Sequence, residues 1–414
     1  MSVTIAKPNF FGFLFLLCVG VPYLVNFELT FAVWSLTALL SLNTRYSLTI
    51  LQFAACFGAI LGVAMVVMFF HDYKGYYIFR DITYMLKPII GLLLGYQLCA
   101  RMYPKGFQII AYTGVVIAAL HLIVIVQAVL FLHAGNMNEI RLRAGFFSDF
   151  EVYALIILLF HQKFELGFSK KKLRFFTILV GVSSFMYLAR TNFIQFAILL
   201  LAMKGILKIN KTSLTVIVTL LAFTIVGYTA IVYTNPKRNG PGIEGLLYKI
   251  KIAPREAFKT KIDSDDWKDF NDNYRSYENI STVKQVTKKG NLGIAFGEGI
   301  GSQIDLKKEV WLGDMYLRYI SILHNGFMTV FLKAGLLGII IYLYSIFLVF
   351  KQKKSNIPIV KNINLLLIGT GVFLIFSSWV FMGMYNLLDN KSILLGFLIC
   401  YKEIRNKQEI SSAE

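Results

Sequence analysis

Leu323-His324-Asn325-Gly326 stands where the one long polar segment of the chain, residues 235–323, runs into the apolar stretch 326–350. A bilayer-crossing helix needs roughly 20 mostly apolar residues, and residues 326–350 meet that length with Lys333 as their one charge. An imidazole is thereby fixed at a membrane–water boundary. Such a place suits chemistry on a lipid-linked substrate, whose tail stays in hydrocarbon while its head stays in water.

Further apolar runs flank this boundary at 10–25, 29–42, 46–70, 82–100, 107–133, 150–160, 173–188, 192–207, 214–233, 364–382 and 393–401. The sequence therefore predicts an all-α, polytopic integral membrane protein of about 12 transmembrane helices, with one large extracytoplasmic loop between helices 9 and 10. Helices 1–9 occupy 1–234, the loop 235–323 and helices 10–12 residues 324–402, leaving 403–414 as a tail. The runs 29–42, 150–160 and 393–401 are short for a crossing.

Lys and Arg accumulate in the short loops on the cytoplasmic side. With the N-terminus inside, nineteen basic residues fall in or beside inner loops, Lys208 among them. Six fall in outer ones: Lys74, Arg80, Arg141, Arg143, Arg190 and Lys391. This asymmetry predicts that both termini are cytoplasmic and that 235–323 lies outside. That segment holds twelve of the chain's 23 acids together with fifteen basic residues, a balance that fits a folded, wetted cap. Its helices are expected to be short and to break near Pro236, Pro241 and Pro254. The run 10–25 follows a single lysine and has no small-residue cleavage pattern after it, so a retained span is expected.

Composition excludes a soluble globule, because 57% hydrophobic and 16% charged residues leave too little polar surface to cover one. A net charge of +19 would suit nucleic acid only if the basic residues were clustered, and here they are scattered between apolar runs. No nucleic acid partner is expected. Cys18, Cys56, Cys99 and Cys400 sit far apart inside apolar runs, so neither a disulfide framework nor a zinc site is suggested. His71, His121, His133 and His161 are dispersed without metal-ligand spacing, and no metal or other cofactor is expected.

His324 is the leading candidate for a general base, since an imidazole with an ordinary pKa of about 6.5 takes a proton near neutral pH. Asn325 is placed to orient it or a substrate hydroxyl. The plainer alternative is an interfacial polar residue or helix cap without chemistry. Outer-face arginines are the second signal, because guanidinium groups grip phosphate oxygens bidentately. Arg190, in a tight turn between two spans, comes first, then Arg141 and Arg143, with Arg80 and Arg318 weaker. Headgroup anchoring or pairing with loop acids is the plainer role for any one of them. Asp72 is a rival base. Gly297-Glu298-Gly299-Ile300-Gly301 lacks the GxGxxG spacing and a strand–helix setting, so a flexible turn is expected. Lys87 and Lys333 fall inside apolar spans, where snorkelling is the expected behaviour.

Three pieces in order, Gly290-Asn291-Leu292-Gly293-Ile294-Ala295-Phe296-Gly297-Glu298-Gly299-Ile300-Gly301-Ser302, then His324-Asn325-Gly326-Phe327, then Lys333-Ala334-Gly335-Leu336-Leu337-Gly338, resemble the bacterial O-antigen polymerase and O-antigen ligase superfamily. Ala189-Arg190-Thr191 is similar to that family's arginine after an apolar span. The strongest likeness covers 290–342. It implies a bacterial inner-membrane, metal-independent, inverting glycosyltransferase that uses an undecaprenyl pyrophosphate-linked glycan as donor. A polymerase would add that glycan to a sugar hydroxyl of a second undecaprenyl pyrophosphate-linked unit, making O-antigen, capsule or exopolysaccharide with a possible chain-length regulator as partner. His324 would act as base, and the arginines would hold the pyrophosphate. The nearest alternative is a ligase that moves finished glycan to lipid A core or another acceptor. A transporter or flippase for lipid-linked sugars is the alternative from another class, although paired intramembrane charges are not evident in the sequence.

Overall fold

At the boundary marked by His324 a capped helix begins, with Asn325 Oδ1 accepting the Met328 N–H at 3.2 Å and Gly326–Phe350 following as a helix. The structure is a computed structural model that describes residues 7–207, 211–238, 240, 243–263, 265–312, 315–386 and 390–413. In chain order its helices are α1 (Lys7–Gly20), α2 (Phe27–Leu40), α3 (Leu48–Met68), α4 (Gly75–Met102), α5 (Gly106–Leu130), α6 (Met137–Ala144), α7 (Asp149–Leu159), α8 (Lys170–Met186), α9 (Arg190–Met203) and α10 (Lys211–Thr234). They continue with α11 (Glu244–Phe258), α12 (Trp267–Asp272), α13 (Tyr274–Lys288), α14 (Gly290–Phe296), α15 (Gly326–Phe350), α16 (Pro358–Val380) and α17 (Lys391–Ala413).

Five of these, α3, α4, α5, α15 and α16, are long and apolar enough to cross a membrane. Shorter apolar helical segments lie at Phe10–Leu24, Phe27–Leu40, Arg190–Met203 and Ala222–Thr234. The protein is thus mainly helical with the long apolar helices of a membrane protein. α4 packs along α17 and α3, while α15 packs between α3 and α16. Their shared interior is filled by Phe57, Tyr84, Tyr342 and Tyr385: Phe57 meets Tyr342 and Tyr385 edge-on at 6.0 Å, Tyr342 tilts against Tyr385 at 5.9 Å, and Tyr84 stacks on Tyr385 at 6.1 Å.

Residues 235–323 depart from the all-α expectation. Besides α11 to α14 they form an antiparallel hairpin, β1 (Ile304–Leu312) and β2 (Met315–Ile320), with Ile304 opposite Ile320 and Trp311 opposite Tyr316. α10 ends at Thr234, before Pro236, but Pro254 lies inside α11 rather than breaking it. Pro241 and Lys208 lie outside the described residues. Phe270, Val286, Ile304, Leu306, Ile320, Leu323, Phe331 and Leu332 form one buried cluster, so α13 and the hairpin are anchored to the start of α15. This packing is what sets α13 beside His324.

Residues 297–301 do contain a turn, at Ile300 and Gly301, but its backbone is pinned to α15 and α3. α15 breaks at Gly335, where φ is +61°, and the break removes the partners of the Leu332 and Lys333 carbonyls. Those carbonyls accept instead from Glu298 N–H (2.7 Å) and Gly299 N–H (3.1 Å), and the Ala64 carbonyl of α3 accepts from Ile300 N–H (3.0 Å). A Cβ on Gly335 would lie 2.4 Å from the Ala295 carbonyl carbon, and one on Gly297 would lie 2.7 Å from the Gly335 nitrogen. Two glycines facing one another therefore permit the backbone contact.

Lys333 does not snorkel either. Its ammonium is buried, 2.5 Å from Asp81 Oδ2, and also donates to the Ser302 carbonyl, while Gly301 N–H donates to the same Asp81 oxygen at 2.8 Å. Lys87 is buried likewise, donating to the Asn386 carbonyl and lying 5.1 Å from the Trp34 ring centroid. Desolvation explains both arrangements: an ammonium inside the bundle must find a carboxylate, carbonyls or a ring face there. Paired charges are therefore present within the helical bundle.

Candidate functional site

Two adjoining cavities open where α13 crosses the helix ends. One, of about 440 Å³, is lined by His324 together with Pro22, Val25, Asn26, Phe27, Phe381, Met382 and Asn386. The other, of about 220 Å³, is lined by Arg190, Arg238, Leu246, Tyr248, Ile252, Glu256 and Asp272. They share Arg141, Phe146, Phe147, Lys249, Arg275 and Phe381 as a common wall. His324 and Arg141 thus line one cavity, and Arg190 lines its neighbour.

His324 is held by Glu278 of α13. Nδ1 of the imidazole lies 3.1 and 3.0 Å from the two carboxylate oxygens, and the His324 backbone N–H donates to Glu278 Oε2 at 3.1 Å. The carboxylate is almost fully buried whereas the imidazole is one-third exposed, 1% against 33%. Tyr274, one helical turn before Glu278, meets the imidazole edge-on at 5.8 Å. With Nδ1–H donated to the carboxylate, the neutral tautomer leaves Nε2 as the proton acceptor.

The common wall is cationic. Five basic side chains line the smaller cavity, Arg141, Arg190, Arg238, Lys249 and Arg275, against the carboxylates of Glu256 and Asp272. Glu256 spans two of them, accepting from Arg190 Nη2 at 2.8 Å and lying 3.1 Å from Arg275 Nη1, while Asp272 lies 2.9 Å from Arg238. Burial, then the charges of Arg190 and Arg275, push Arg141 down to about 10. Burial, then Arg141 and Arg190, push Lys249 down to about 8. Arg275 is also lowered, chiefly by burial. Crowded cations of this kind are relieved by an anion that reaches several of them at once.

The other candidates lie elsewhere. Asn325 uses its side-chain oxygen to cap α15 and lines neither cavity; among the described residues its buried Nδ2 has no hydrogen-bond partner. Arg318 forms a fork with Asp305 at 2.8 and 3.0 Å across the hairpin, a structural pair outside both cavities. Arg143 is exposed on α6 and, unlike its neighbour Arg141, lines neither cavity. Arg80 donates to Ser321 Oγ and stacks over Tyr77, 5.1 Å from its centroid, so it braces the approach to His324 without lining a cavity. Asp72 is exposed ahead of α4 and lines neither cavity.

Sequence reasoning passed over Glu278, Arg275, Glu256 and Lys249. A signal was there: Tyr274, Arg275 and Glu278 recur at helical spacing on one face of α13. Among the described residues no group of three or more metal-ligating side chains is placed to hold an ion. No protein-family model matches the sequence, and neither does any curated protein or any solved structure.

Proposed function

We propose that the chain is a glycosyltransferase of the O-antigen polymerase type, joining lipid-linked oligosaccharide repeat units at the outer face of a bacterial cytoplasmic membrane. In this reading about 12 segments cross the bilayer, residues 235–323 lie outside, and both termini face the cytoplasm. The observation that carries the reading is the joining of a carboxylate-held imidazole, His324, to a cationic wall through one pair of cavities with an apolar side.

In the reaction, Nε2 of His324 takes the proton of an acceptor sugar hydroxyl, and Glu278 stabilises the imidazolium that results. The hydroxyl oxygen attacks the anomeric carbon from the face opposite the leaving group, with inversion. The bond from that carbon to the pyrophosphate oxygen breaks, and its electron pair leaves on undecaprenyl pyrophosphate. Arg141, Arg275 and Lys249, with Arg190 beside them, are placed to meet that growing charge. Pro22, Val25, Phe27, Phe381 and Met382 offer the first prenyl units an apolar surface. Imidazolium returns its proton to water. Donor activation resides in the pyrophosphate, so no nucleotide takes part.

The buried Asp81–Lys333 pair, a feature a transporter would also show, lines neither cavity and is closed on the backbone of residues 301–302. The test is the lipid-linked glycan profile of a deletion strain. A polymerase deletion leaves single repeat units on the final acceptor, and a ligase deletion leaves long chains on undecaprenyl pyrophosphate. An unchanged profile removes both readings.

A further inference from the structure

Glu256 occupies the place between two arginines that an anionic ligand would take. Its Oε2 accepts from Arg190 Nη2 at 2.8 Å, and its Oε1 lies 3.1 Å from Arg275 Nη1. Each carboxylate oxygen thus serves one guanidinium, the pattern in which a phosphoryl group would bridge them. The side chain lines the cavity and is partly exposed to it. Its backbone is fixed separately, since Ser276 Oγ donates to the Glu256 carbonyl at 2.8 Å. Asp272, the second carboxylate of the cavity, differs: it is paired with Arg238 and accepts from the Tyr248 hydroxyl, and it bridges no two arginines.

Resting on the proposed reading that this cavity takes a pyrophosphate, we infer that Glu256 is a resident counter-ion which the pyrophosphate displaces from Arg190 and Arg275, and whose return drives the leaving group out. The chemistry gives this a purpose. A glycosyl pyrophosphate donor is a diester with one ionised oxygen on each phosphorus. The lipid pyrophosphate left after transfer has lost its sugar ester and gained charge, so a cationic wall built to hold the donor holds the product more tightly. A tethered carboxylate competes with both ligands, lowering affinity to a level from which the product escapes. Glu256 is on this account a positioning residue of the site and handles no proton.

The experiment uses the full chain in detergent micelles, with inorganic pyrophosphate as the probe and calorimetric titration as the readout. Glu256→Gln, which keeps the shape and removes the charge, is expected to tighten pyrophosphate binding at least tenfold. Asp272→Asn removes the same charge from the same cavity without freeing a bridge, and is expected to change affinity less than threefold. In transfer assays Glu256→Gln is expected to lower both donor KM and kcat, the latter through slower product release. Glu256→Ala serves as a second replacement, and elution as a single folded species qualifies each variant. Unchanged or weaker binding by Glu256→Gln, with the wild type binding normally, overturns the inference and leaves the proposed function standing. Equal tightening by Asp272→Asn overturns it as well, reducing the effect to general charge. Pyrophosphate binding by neither wild type nor variant overturns the anion-cavity reading itself, and the inference with it.

Discussion

Glu278 holds His324 by two contacts at once, with Nδ1 3.0 Å from a carboxylate oxygen and the backbone N–H of His324 donating to that same oxygen at 3.1 Å. Orientation and tautomer of the imidazole are therefore set from α13, a helix of the polar segment, and not from α15, which begins two residues after the histidine. Glu278→Gln keeps the size and removes the charge that would meet an imidazolium. It is expected to lower turnover on the order of 10²-fold, with Glu278→Asp retaining part of the activity. Turnover of purified variants at matched protein levels is the measurement, and wild-type turnover in Glu278→Gln would dissociate the pair.

The cationic wall sorts the arginines. Arg141→Ala and Arg275→Ala each remove a charged hydrogen-bonding group from the surface shared by both cavities. Each is expected to raise donor KM about tenfold or more, the scale of one hydrogen bond to a charged partner. Arg190→Lys replaces a fork by a point charge and is expected to lower turnover more than protein abundance. Arg318→Ala and Arg143→Ala are expected to stay within about twofold of wild type, as surface residues outside the cavities do. Donor titrations with the five variants check the ordering.

Lys249 gives the site a pH dependence. Burial and the neighbouring Arg141 and Arg190 hold it down at about 8, below the ordinary lysine value. Its lowered pKa means that the cationic form, which favours a bound anion, is present below about pH 8 and is lost as pH rises through it. Between about pH 7 and pH 9 the wild type is therefore expected to lose pyrophosphate affinity relative to Lys249→Arg, whose guanidinium stays charged while the ligand's own titration is common to both. Calorimetric titrations at three pH values in that window measure both slopes.

The Asp81–Lys333 pair bears on stability. Lys333→Met leaves Asp81 buried with the Gly301 N–H but without its ammonium partner. Breaking a buried pair on one side costs roughly 3–5 kcal/mol, and the double variant Lys333→Met/Asp81→Asn is expected to recover part of that loss. Thermal unfolding in detergent distinguishes the single from the double change. Equal destabilisation by both would show that the amine's other contact, to the Ser302 carbonyl, carries the effect.

What the sequence made legible follows from which signals are local. The apolar length of 326–350 and the polar segment before it locate His324, and the few arginines in the short loops expected to lie outside point to Arg141 and Arg190. Glu278, Arg275 and Glu256 were hidden because their role comes from docking: α13 is set beside His324 by the packing of Val286, Leu306 and Leu323 against the start of α15, and Glu256 of α11 is tied to α13 through Ser276. The hairpin had a period-two signal in Ile304, Leu306, Val310 and Leu312 that a helical expectation passed over. Lys333 and Lys87 were misread because hydropathy gives the cost of a charge within a span but not the partner that removes it. Gly335 concealed the break in α15, since a lone glycine in an apolar run signals a kink only when a second segment arrives to use the freed carbonyls.

Transfer by the purified chain tests the central claim most directly. The protein is placed in lipid nanodiscs with an undecaprenyl pyrophosphate-linked oligosaccharide as donor and acceptor, and glycan length is followed by mass spectrometry. The expected result is a ladder of joined repeat units from the wild type, with none from a folded His324→Ala variant. A ladder of normal length from His324→Ala, or no new glycosidic bond from the wild type, would contradict it.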